Sequence, residues 1–72
     1  MAPMNSLAAE KLRSCLNDIY IMSGILNTLV RKPDRVNHME QLQVVKLCIE
    51  SIRQNSETIT HLVTDEYPEL KS

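Results

Sequence analysis

The sequence predicts an all-α protein: an antiparallel hairpin of two long helices with coiled-coil-like packing, completing a helical bundle with a partner chain. Three observations predict it. Composition favours helix, since 72 residues include one Gly and three Pro, with Leu, Glu and Met plentiful. Apolar residues recur at alternating steps of three and four along two long runs. Between the runs lies RKPDRVN (31–37), which holds a helix breaker at Pro33. A single domain over 1–72 follows, in the size range where one core is marginal without disulfides, metal or oligomerisation.

The first helix is expected over about 6–31. Asn5 or Ser6 can accept a bond from its uncapped amides. Lys32 precedes Pro33, which disfavours the helical conformation there. Arg31 and Lys32 also suit the negative end of the helix dipole. Ala8, Leu12, Cys15, Ile19, Met22, Leu26 and Leu29 then form an unbroken heptad seam.

A turn is expected over 32–37, and a second helix over about 38–65. Asn37 and Glu40 have capping-box spacing, with Asn replacing the usual Ser or Thr. Pro68 stops the helix and leaves a short acidic tail at 66–72. The seam expected on this helix is Leu42, Val45, Ile49, Ile52, Ser56, Ile59 and Val63. Folding the chain back at the turn sets Leu26 level with Leu42, Met22 with Val45, Ile19 with Ile49 and Cys15 with Ile52. Both seams follow a 3.5-residue repeat, so left-handed packing is expected.

One seam does not use up the apolar residues. Ile21, Ile25, Val44 and Cys48 fall on one flank of the hairpin, and Leu47 extends that patch. Leu16, Val30 and Met39 form a smaller strip on the opposite flank. Two helices cannot bury either strip, and exposed patches of this kind mark interaction sites. These eight residues are the expected partner-binding set. Gly24 lies between the strips, as a point of close helix approach or as a tolerated surface glycine.

Charge and motifs argue against other classes. Eight basic and nine acidic residues give a net charge of −1. The only basic cluster, RKPDR at 31–35, is broken by Pro33 and Asp34, so no nucleic-acid partner is expected. MAPMNSLAAEKL lacks the basic and apolar regions of a signal peptide. The longest apolar-rich run is interrupted by Ser23, Gly24, Asn27 and Thr28, so no membrane span is expected. Cys15 and Cys48 read as reduced thiols of an intracellular protein, cytoplasmic or nuclear. In the expected register they are offset by about five residues, roughly 7 Å along the axis, which disfavours a disulfide.

Glu57, His61 and Asp65 share one helix face, which reads as a solvated surface and not as a metal site. No glycine-rich phosphate loop and no nucleophile beside an orienting base can be found. Neither catalytic residues nor cofactor, metal or small molecule are expected. The expected function is a non-catalytic interaction subunit or adaptor that adds a hairpin to a heteromeric helical assembly and stabilises or localises a larger partner. The alternative is a homodimeric four-helix-bundle regulator or chaperone that sequesters an amphipathic helix of a client.

Overall fold

The computed structural model describes residues 3–31 and 38–71. The expected turn over 32–37 and its Asn37 cap lie outside the described residues. Helix α1 runs Ser6–Arg31 and helix α2 runs His38–Glu66, followed by a 3₁₀ turn at Pro68–Lys71. No strand occurs among the described residues.

Asn5 caps α1. Its Oδ1 accepts the Leu7 N–H at 2.9 Å, and its carbonyl accepts the Ala9 N–H at 2.9 Å. At the far end of α2 the Tyr67 N–H still reaches the Val63 carbonyl at 2.9 Å before Pro68 intervenes. The 3₁₀ turn then closes through the Leu70 N–H to the Tyr67 carbonyl at 3.0 Å. Thr58, Thr60 and Thr64 direct their hydroxyls back to carbonyls one turn earlier, so the Thr-rich end of α2 meets its polar needs locally.

The helices pack side by side and antiparallel. The connecting residues span at most roughly 25 Å, too short to bring the chain back along α1 for a parallel pair. The molecule measures 48 × 21 × 16 Å, so its long axis is about one helix. Its radius of gyration of 15.8 Å exceeds the roughly 11 Å of a compact domain of this length.

On α1 the seam is as expected: Cys15 is buried, and Ala8, Leu12, Ile19, Met22, Leu26 and Leu29 are half-buried. On α2 it is rotated from the expected position. Val45, Ile52 and Ile59 do face α1 and Val63 is half-buried, but Leu42, Ile49 and Ser56 are exposed. The neighbouring column of Gln41, Cys48, Asn55 and Leu62 is buried or half-buried in their stead. The Gln41 side-chain amide donates to the Leu29 carbonyl at 3.4 Å and marks the level of the two helices. Counting heptads from there sets Met22 level with Cys48, Cys15 with Asn55 and Ala8 with Leu62. Every one of these side chains is buried or half-buried.

The rotation has a physical reason. α2 carries two apolar columns with a mixed one beside them, and only two columns fit against one neighbouring helix. The polar members of the chosen column are satisfied where they stand. Gln41 bonds Leu29, and the Asn55 amide donates to the Ser51 carbonyl at 2.9 Å and to its hydroxyl at 3.3 Å. Placing them in the seam therefore leaves no orphaned polar group.

Gly24 has nothing within 4 Å of the position a Cβ would take, and its φ is not positive. Gly24→Ala is therefore expected to stabilise the isolated hairpin by ~1 kcal/mol, seen as a higher thermal midpoint by circular dichroism. A lower midpoint would show that the glycine is structurally required.

Candidate functional site

Only Cys15 and Cys48, at 8% and 3% exposure, are buried among the described residues. The accessible surface is 5760 Å² for 8.2 kDa. A compact monomer of this mass exposes roughly 4500 Å². The excess of roughly 1200 Å² is larger than the ~800 Å² that one partner covers in a standard interface. Two helices one layer thick have no interior in which to put it.

Lettering the heptads with Leu12 and Leu42 as a separates the exposed apolar residues into two faces. One face carries Ile21 and Ile25 from α1 and Leu47 from α2, all exposed, with half-buried Val44 at its inner margin. Cys48, expected beside them, is instead inside the hairpin and has almost no surface to offer a partner. The opposite face carries Leu16 and Val30, with Met39 further out on α2. The rotation of α2 adds Leu42 and Ile49 to this second face, at 50% and 56% exposure. Tyr20 stands at its outer margin, also exposed. Sequence periodicity missed Leu42 and Ile49 because they complete an apolar a/d seam, the usual sign of an interior column.

The electrostatics are those of a surface. Arg53 donates to Glu50 one turn back and to Glu57 Oε1 at 3.0 Å one turn on, with all three side chains well exposed. The hydrogen bond to Glu50, then the charge of both carboxylates, raises the Arg53 pKa above its ordinary value. Lys71 Nζ lies 3.4 Å from Asp65 Oδ1 and ties the 3₁₀ turn to the end of α2.

Among the described residues no three His, Cys, Asp or Glu side chains gather as a metal-binding group, and Glu57, His61 and Asp65 remain apart. A surface depression beside Gln43, Lys46, Leu47 and Glu50 has walls from a single helix and encloses nothing. Both cysteines are free thiols. In the observed register they are separated by about a heptad, roughly 10 Å, beyond the reach of a disulfide. No helix among the described residues is long and apolar enough to cross a membrane. No family model, curated protein or solved structure matches the chain.

Proposed function

We propose that the chain is a non-catalytic interaction subunit that binds another protein by contributing its hairpin to a helical bundle. The observation that carries this reading is the near-absence of an interior. With two buried side chains among the described residues and roughly 1200 Å² of excess surface, the hairpin gains most of its stability from what covers it. The partner buries Leu16, Val30, Leu42 and Ile49 on one face, and Ile21, Ile25 and Leu47 on the other. Buried, unpaired thiols suit the reducing cytoplasm or nucleus. In this role the chain stabilises or localises a larger protein.

The test is the purified chain by itself, followed by circular dichroism and light scattering over a range of concentrations. The expected result is a helical chain with a broad, low-midpoint thermal transition. A sharp, concentration-independent transition of a monomer would overturn the proposal. A discrete, cooperatively folded dimer would replace it with the homodimeric four-helix bundle.

A further inference from the structure

We infer that the face bearing Leu16, Val30, Leu42 and Ile49 seats one amphipathic α-helix of the partner, with acidic residues flanking that helix's apolar stripe. The inference rests on the partner reading above and adds the site and the chemistry of its occupant.

The geometry is that of a groove between two rows. The e row of α1 and the a row of α2 border the same side of the seam, and each repeats every seven residues. Counting from the Leu29–Gln41 bond, Val30 comes within two residues, about 3 Å along the axis, of the level of Leu42, and Ser23 of Ile49 and Leu16 of Ser56 by the same offset. Successive layers are thus about 10 Å apart, the period at which a third helix of the same kind presents its own apolar residues. Every layer has at least one large apolar side chain, and a small residue opposite leaves room in two of them. The other face lacks this continuity. Its inner rows meet as Ile25 with Val44 near the chain reversal, then as Asp18 with Ser51 and Lys11 with Thr58. It offers a local patch and no groove.

Charge specifies the occupant. The margins of the groove carry Arg13 on α1 and Lys46 and Arg53 on α2, with no acidic residue in those rows. Arg53 is already engaged by Glu50 and Glu57 from the outer edge of α2. Arg13 and Lys46 take part in no ion pair among the described residues and flank the groove from its two sides. A second copy docked face to face by two-fold symmetry would set these like charges against each other. A helix with Glu or Asp beside its apolar stripe meets them with opposite charge.

The test uses the full chain and two dye-labelled synthetic helices of roughly three heptads. Both have Leu at a and d; one has Glu and its twin Lys at e and g, so neither pairs with itself. The Glu helix is expected to bind by fluorescence anisotropy, more weakly as salt rises. The Lys twin is expected to bind at least about tenfold less tightly. Ile49→Asp is expected to weaken binding of the Glu helix at least about tenfold, and Leu42→Ser to weaken it in the same direction. Gln54→Asp, exposed on the other face, should leave binding within about twofold. Equal affinity for the twins, or a loss with Gln54→Asp matching that of Ile49→Asp, overturns the inference. So does a chain that binds neither helix while its mass climbs steadily with concentration, which would show copies stacked face to back. These failures leave the need for a partner standing, because that reading falls only on the stability of the chain alone.

Discussion

Cys48→Arg is expected to unfold the hairpin, whereas Leu47→Arg, one residue away, leaves it folded. Cys48 is 3% exposed at the centre of the seam, level with Met22, while Leu47 is 70% exposed. A guanidinium at position 48 either remains desolvated between the helices or forces α2 away from α1. Even with its stem snorkelling toward water, the substitution costs at least about 2 kcal/mol, a large part of what a hairpin of this size possesses. Circular dichroism of the two variants at low temperature reads the difference directly. Had α2 packed through Leu42 and Ile49, both positions would lie on the flank and both variants would keep the helicity of the parent. Equal helicity would therefore refute the observed rotation.

The second large effect is a gain. Asn55 occupies a seam position level with Cys15, and its amide bonds only to Ser51 of its own helix. Asn55→Leu fills that layer with apolar surface and is expected to stabilise the hairpin by ~1 kcal/mol, or about 4–8 °C in midpoint. Ser56→Leu places the same side chain on the exposed a row instead. It is expected to leave the midpoint nearly unchanged and to raise self-association by light scattering. If Ser56→Leu proves the stabilising change, the helices pack in the other register. The Asn is the less apolar choice for a seam, and single polar seam residues are known to fix register at a cost in stability.

Two packed helices were legible in the sequence because heptad spacing and a proline-bearing interruption are local signals. The seam of α1 was legible for the same reason: from Ala8 to Leu29 it has one continuous apolar column pair and little competition. α2 offered two choices sharing Val45, Ile52 and Ile59, and apolar content favoured the wrong one. What decided the choice lies outside residue counting. Gln41 reaches across to a carbonyl of α1, and Asn55 folds back on Ser51, so polar residues sit in the seam without an unmet bond. The error propagated to the candidate site. It placed Cys48 on the surface and hid Leu42 and Ile49, so the longer apolar face was taken for the lesser one. Leu16, Val30, Ile21, Ile25 and Leu47 escaped this error, since their exposure does not depend on which column of α2 meets α1.

A hairpin with two buried side chains among its described residues also changes in a particular way over evolutionary time. Most of the described positions are exposed or half-exposed, where substitutions away from special features usually alter stability by within ±0.5 kcal/mol. Purifying selection for folding therefore bears on few sites, and drift is free at many others. The rows proposed to meet a partner would be held differently, because a change there would have to be answered by a change in another protein. Such a hairpin would keep its helical spacing and the pattern of its groove long after its residue identities had turned over.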